Sequence, residues 1–74
     1  MIIVSQDGSV SVMYSGMCLE TLEDSHNTAL FAMTPTVTRK YMGEYRERAR
    51  AEAVHYEIIK KLSEDDPVYH IPMD

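Results

Sequence analysis

Apolar and polar residues alternate regularly early in the chain. Every second position is apolar over one stretch, at Val10, Val12 and Tyr14, whereas Met13 falls among the serines of the opposite face. This period of two predicts a β-strand with one buried face and one wetter face. The run MIIVSQ before it is also strand-like, and Asp7-Gly8 separates the two. An Asp-Gly pair between such runs indicates a hairpin with a two-residue loop, in which both loop residues take positive φ.

Three further strand-like segments follow, each bounded by turn-forming residues. A turn at Ser15-Gly16 precedes MCLETLE, and the polar run EDSHN (residues 23–27) forms the next turn. TALFAM (residues 28–33) is a continuous apolar run. It predicts the most buried strand, although a short helix has the same pattern. After a loop at Pro35, VTRKYM (residues 37–42) predicts a fifth strand that ends near Gly43.

The hydrophobic period changes to that of a helix from about Glu44 to Ser63. The side chains on one arc of this helix form the stripe expected to pack on a sheet: Ala51, Val54, His55, Ile58 and Leu62. Two charge pairs are predicted on the exposed surface, Arg48 with Glu52 and Glu57 with Lys61. SEDDP ends the helical pattern, and VYHIP predicts a short edge strand or a tail across the sheet.

This order of elements predicts one α+β domain over residues 1–74. It consists of an antiparallel meander of about five strands, one long C-terminal helix, and a short terminal strand or tail. A half barrel capped by the helix and a flat sheet covered by it both fit the pattern. A chain of 74 residues buries only about 60% of the surface that its unfolded form exposes. The core is therefore thin, and oligomerisation would enlarge it.

Composition places the chain among folded cytosolic proteins. Hydrophobic residues make up 45% and charged residues 26% of the sequence, proportions typical of globular domains and not of disordered ones. The single cysteine, Cys18, cannot form an internal disulfide, and the first residues predict neither a signal peptide nor a membrane span. We therefore expect a cytoplasmic protein that does not contact a membrane.

Charge is segregated along the chain although the net charge is only −5. Residues 1–38 contain four acidic and no basic side chains, whereas residues 39–61 hold all seven basic side chains and four acidic ones. Four more acidic residues lie after position 62. The acidic balance argues against direct binding of nucleic acid, because general affinity for nucleic acid comes from neutralising phosphates.

The sequence contains no motif that would supply the chemistry of an enzyme. Its three glycines are too scattered to cradle a phosphate. The side chains best suited to bind a metal have no short ligand spacing: Cys18, His26, His55 and His70. Asp24, Ser25 and His26 are adjacent in a predicted turn and cannot hold a nucleophile against its base. We therefore expect a protein that is not an enzyme and uses no cofactor or metal.

Segments at both ends of the chain and in the helix resemble one group of proteins. The segments are MIIVSQD, MGEY (residues 42–45), Arg50-Ala51, Val54, Glu57-Ile58-Ile59 and VYHIP. In this order and spacing they are similar to short, functionally uncharacterised proteins of Gram-positive bacteria, their prophages and mobile elements. Those proteins begin with IISQD, carry LGEY before a RAxxVxxEI helix and end in an MP tail. The resemblance covers about half the chain and implies a small phage or mobile-element gene, many of which encode inhibitors of host proteins.

The leading hypothesis is a non-enzymatic protein that binds and blocks a host protein, for example in a bacterial defence system such as CRISPR. Complementary potentials guide protein association, and aromatic side chains often anchor interfaces. The predicted contacts are acidic side chains and one helix tyrosine: Glu20, Glu23, Asp65, Asp66 and Tyr56.

Two alternatives remain open. The first is an oligomer that sequesters an anionic nucleotide through basic side chains on both sides of Gly43: Arg39, Lys40, Arg46 and Arg50. The interleaved glutamates weigh against this site, because they are typical of a solvated helix. The second is a purely structural subunit that pairs through an exposed strand edge.

Overall fold

A computed structural model describes residues 1–36 and 38–74 of the chain. Within these residues, six strands and one helix follow one another: β1 (Ile2–Val4), β2 (Ser11–Met13), β3 (Met17–Thr21), β4 (Thr28–Met33), β5 (Arg39–Tyr45), α1 (Arg48–Ser63) and β6 (Val68–His70). The predicted α+β class is confirmed, as is the order of strands, long helix and short last strand. Val37, the predicted first residue of the fifth strand, lies outside the described residues.

The six strands form two three-stranded sheets. In the first sheet, β1 lies between β2, to which it is antiparallel, and β6, to which it is parallel. In the second sheet, β3, β4 and β5 form an antiparallel meander with β4 in the centre. Both sheets and the helix contribute to one core, whose largest fully buried side chains include Ile3, Leu30, Met42, Val54 and Ile58. The predicted meander is thus divided between two sheets.

The predicted hairpin between β1 and β2 exists, but its two-residue loop is wrong. The strands end at Val4 and begin at Ser11, and the N–H of Ser5 donates to the carbonyl of Val10 at 2.8 Å. Gly8 has a φ of 80°, whereas Asp7 does not take positive φ. The carboxylate of Asp7 instead accepts hydrogen bonds from both serines beside it and from a main-chain N–H. These bonds stabilise a wider turn than the sequence pattern indicated.

TALFAM forms strand β4, and the alternative of a short helix is wrong. Four of its six residues are buried, namely Thr28, Ala29, Leu30 and Ala32. The strand pairs with β3 on one side and β5 on the other. Ala29 on one face and Leu30 and Ala32 on the other are all buried, which explains why the sequence is apolar at both alternating positions.

Strand β5 continues past Gly43, where the sequence predicted its end. Leu30 pairs with Gly43 and Phe31 with Tyr41, so Met42 is an extra residue in β5. This β-bulge turns the side chain of Met42 into the core, where it is 1% exposed. Because the strand runs on to Tyr45, the helix begins at Arg48 and not near Glu44.

The predicted apolar stripe of the helix is confirmed. Ala51, Val54 and Ile58 are buried, and His55 and Leu62 are half-buried at the border of the stripe. The helix begins without a side-chain cap and without acidic residues in its first turn. It ends where SEDDP predicted, at Ser63. Within the described residues, no helix has both the length and the apolar character needed to cross a membrane.

One of the two predicted helix charge pairs is confirmed. Arg48 and Glu52 form a salt bridge at 3.2 Å. The pair of Glu57 with Lys61 is wrong, because Lys61 lies near the acidic residues that follow the helix. The carboxylate of Glu57 instead accepts a hydrogen bond of 2.7 Å from the hydroxyl of Tyr69. The helix is thereby tied to strand β6.

Candidate protein-binding surface

The first sheet has one face toward the core and one toward solvent. Ile3 of β1 is fully buried, and its neighbours across the sheet are Val12 in β2 and Tyr69 in β6. Successive side chains of a strand point to opposite faces. The preceding position of β1, Ile2, therefore lies on the solvent side, with Met13 and Val68 as its neighbours in register. We call Met13, Ile2 and Val68 the outer row.

The outer row is apolar across all three strands. Met13 is 61% exposed, Ile2 39% and Val68 43%. Neighbouring strands lie about 4.8 Å apart, so the three side chains are adjacent. The next row on the same face has half-buried Val4 in its centre. Single exposed apolar residues are ordinary, whereas contiguous apolar patches of roughly a few hundred Å² are often interaction sites.

Strand β6 completes this surface. Main-chain hydrogen bonds hold its two ends, and Tyr69 anchors its inner face in the core. The N–H of Ile2 donates to the carbonyl of Pro67 at 2.8 Å, and the N–H of Ile71 donates to the carbonyl of Val4 at 3.0 Å. Tyr69, the middle residue of β6, is buried. Burial of its hydroxyl and the hydrogen bond to Glu57 raise the pKa of Tyr69 well above its ordinary value. Val68 is thus held rigidly next to Ile2.

The outer row was missed in the sequence for two reasons. In MIIV, four consecutive apolar residues do not show which of them face solvent. The pairing of β1 with β6 joins segments more than 60 residues apart, and no local pattern indicates it. The one available signal was Met13, which falls among serines on the wetter face of β2. Methionine is adaptable and well suited to a contact surface.

The predicted acidic contacts do not form one surface. Glu20 lies in β3 and is salt-bridged to Arg39, and Glu23 lies in the turn after β3. Asp65 and Asp66 follow the other end of the helix, where Asp66 lies 3.7 Å from Lys61. The end of β3 contacts the start of the helix through Arg48 and Thr21. A helix of 16 residues is about 24 Å long, so the two acidic groups are separated by roughly that length.

The four predicted anion-binding residues do not converge. Arg39, at the start of β5, lies 4.3 Å from the centre of the Phe31 ring and is paired with Glu20. Lys40 follows it in the strand and therefore points to the opposite face. Arg46 lies beyond the other end of β5, about 20 Å from Arg39 at the rise of a strand.

Arg50 is occupied by contacts within the chain. Its guanidinium lies 5.4 Å from the centre of the Tyr45 ring and donates a hydrogen bond of 2.6 Å to the main-chain oxygen of Asp74.

Lys40 lines a cleft between the hairpin loop and β5. The cleft has a volume of about 380 Å³, and Asp7 and Tyr41 also line it. Hydrogen bonds from Ser9 and Ser5 lower the pKa of Asp7 to about 2. Burial and a hydrogen bond donated to Glu44 raise the pKa of Tyr41 to about 12, and that bond with one from Asn27 lowers the pKa of Glu44. Asp7 and Tyr41 thus each have hydrogen-bond partners, and Lys40 is the basic side chain among the residues that line the cleft.

Within residues 1–36 and 38–74, no group of three or more His, Cys, Asp or Glu side chains could hold a metal ion. Comparison with known proteins adds no relative: no protein-family model, no curated protein and no solved structure matches the chain.

Proposed function

We propose that the protein acts by binding another protein through the outer row, without catalysis. The observation that carries this proposal is the register of Met13, Ile2 and Val68, which places three exposed apolar side chains side by side across three strands. Burial of apolar area is the main favourable term in most protein association. A fully buried methionine, isoleucine or valine contributes about 1.5–3 kcal/mol.

The proposed partner is a bacterial host protein that is blocked by the contact, in the cytoplasm. The resemblance to proteins of prophages and mobile elements supports a host-directed inhibitor, and a defence system such as CRISPR is one source of targets. Glu20, Glu23, Asp65 and Asp66 lie on other parts of the surface and would act at longer range. Their role is to steer a basic partner toward the protein.

The two alternative functions have less support from the geometry. Sequestration of an anionic nucleotide needs cations that converge, and Arg39, Lys40, Arg46 and Arg50 are spread over two strand faces, a loop and the helix. Pairing through strand edges needs a long free edge. The edge strands of the first sheet, β2 and β6, have only three residues each, whereas β3 and β5 at the edges of the second sheet have five and seven. Gln6 bonds to Met42 and Glu44 of β5, so β3 is the edge that this alternative would use.

Site-specific photo-crosslinking in bacterial cells tests the proposed surface. A photoreactive amino acid replaces Met13 in one variant and Met73, which is 71% exposed but outside the outer row, in a matched control. We expect position 13 to form an adduct with a discrete host protein and position 73 to form none. Equal adducts at both positions, or none at position 13, would contradict the proposal.

A phage assay tests the proposed consequence. In strains that each carry one active defence system, expression of the protein should restore plaques of the targeted phage in at least one strain. Met13→Glu should abolish this restoration and Met73→Glu should retain it. If both variants lose the restoration of plaques, or neither does, the result would contradict a role of the outer row in inhibition.

A further inference from the structure

The helix carries a second exposed surface on the side opposite the core. Its centre is Tyr56, which is 78% exposed, and Ile59 beside it is 47% exposed. A shallow groove of about 490 Å³ lies along this side, between Ala49 and Lys60. Ala49 and Ala53 form its floor, because their small side chains leave space beside the larger Tyr56. We call this surface, together with Arg48 and Glu64 at its two ends, the outer helix face.

Charges along the outer helix face follow an order that is complementary to itself. Residues four apart form one ridge of a helix. Here the ridge consists of Arg48, Glu52, Tyr56, Lys60 and Glu64, so its charges read plus, minus, neutral, plus, minus. A twofold axis at Tyr56 reverses this order in a second copy. Arg48 then lies opposite Glu64, and Glu52 lies opposite Lys60, each pair twice.

From this arrangement we propose that the outer helix face binds a second copy of this chain, with the two helices antiparallel and crossing at Tyr56. The axis passes through Tyr56, at the midpoint of the helix Arg48–Ser63. Because the ridge is inclined to the helix axis, the two helices cross at about 50° and contact each other at their centres. Ile59 and Ala53 lie on opposite sides of Tyr56 around the helix. The same axis therefore places Ile59 beside Ile59 of the other copy, and Ala53 beside Ala53. The exposed isoleucine and the groove beside Ala53 are thereby covered together.

Lys60 is the charged side chain that best determines the orientation of the second copy. Among the salt bridges of residues 1–36 and 38–74, those of the helix involve Arg48 with Glu52 and Lys61 with the acidic residues after it. The ammonium of Lys60 takes part in none of them. A parallel arrangement would place each charge opposite its own copy, which is unfavourable. The charge order therefore selects the antiparallel dimer.

The dimer is weak and depends on concentration. A helix of 16 residues is about 24 Å long, and one helix face covers less than the roughly 800 Å² per partner of a standard interface. The outer row lies on the first sheet and not on the helix. This inference is therefore independent of the proposed function, and each can fail without the other.

Sedimentation equilibrium of charge-swapped variants tests the dimer. Glu52→Lys and Lys60→Glu each replace two opposite-charge contacts by two like-charge contacts, so each variant should dissociate at about tenfold higher concentration than the natural chain. In an equimolar mixture of the two variants, the introduced lysine faces the introduced glutamate at one contact, and the unchanged Lys60 faces the unchanged Glu52 at the other. Both contacts of the mixed dimer thus join opposite charges. The mixture should therefore associate within about threefold of the natural dissociation constant.

Two matched variants control for net charge and folding. Glu23→Lys and Lys40→Glu make the same charge changes at exposed positions outside the helix, and both should leave the dissociation constant unchanged. A natural chain that stays monomeric up to ~1 mM would overturn the inference. So would a dimer whose single variants associate normally, or a mixture that does not recover. None of these results changes the crosslinking expected at position 13.

Discussion

Gln6 pairs with Glu44 as a neighbouring strand would. Its side-chain amide donates to the main-chain oxygen of Glu44 at 3.2 Å, and its carbonyl oxygen accepts from the N–H of Glu44 at 3.1 Å. The same amide also reaches the main-chain oxygens of Pro72 and Met73, at 3.1 and 3.0 Å. One side chain thus bonds to the free edge of β5 at Glu44 and also to the segment after β6.

This contact requires glycine at position 43. A Cβ added to Gly43 would lie 2.6 Å from the Cβ of Gln6, and the φ of Gly43 is 151°. Gly43→Ala should lower the free energy of unfolding by about 2–4 kcal/mol, because it adds a collision to a strained backbone. Gly8→Ala is the matched control. Gly8 also has positive φ but nothing within 4 Å of the added Cβ, so the cost should be only about 1–2 kcal/mol.

Urea denaturation of both glycine variants measures these costs. Equal losses of stability would show that the backbone conformation alone matters and that Gln6 does not pack against Gly43.

Ile58 and Ile59 are adjacent in the helix and differ in burial. Ile58 is fully buried, whereas Ile59 is 47% exposed. Ile58→Ala should lower the free energy of unfolding by about 2–5 kcal/mol through lost apolar burial and a cavity. Ile59→Ala should cost much less in dilute solution. Thermal unfolding monitored by circular dichroism measures both. A larger loss for Ile59→Ala would contradict the register of the helix.

Ionisation of the Tyr69 hydroxyl should lower the stability of the fold at alkaline pH. Burial and the bond to Glu57 raise its pKa above the ordinary value of 10.0. A raised pKa means that the folded state favours the protonated hydroxyl, so this contribution is complete below pH 10 and is lost as the pH rises further. Tyr69→Phe should cost about 1 kcal/mol at neutral pH and should lose less additional stability above pH 10. Denaturation at several pH values measures this, and parallel losses in both proteins would contradict it.

The local elements of this fold were predictable, and its long-range pairings were not. TALFAM and the stripe Ala51, Val54 and Ile58 are placed by hydrophobic pattern alone, because burial depends on the same period that the pattern shows. Gly43 predicts the end of a strand, but strand β5 continues to Tyr45. Glycine is favoured both in turns and in β-bulges, so the sequence does not distinguish the two. The parallel pairing of β1 with β6, and with it the division into two sheets, rests on contacts between distant segments.

The candidate surface was less predictable than the fold. Sequence patterns favoured charged residues and Tyr56 as contacts, because charge and isolated aromatic residues are visible in a sequence. The structure shows that Glu20 and Arg39 neutralise each other, a pairing between two strands that composition does not reveal. The outer row required the register of three strands before Ile2, Met13 and Val68 could be recognised as neighbours.

Binding of a protein partner by the outer row is tested most directly by the affinity of one variant. With the crosslinked host protein purified, isothermal calorimetry compares the natural chain with Met13→Glu and Met73→Glu. A buried methionine contributes about 1.5–3 kcal/mol, and introducing a charge adds to the loss. Met13→Glu should therefore weaken binding at least tenfold, while Met73→Glu binds as the natural chain does and both variants keep their thermal stability. Unchanged affinity of Met13→Glu would contradict binding through the outer row.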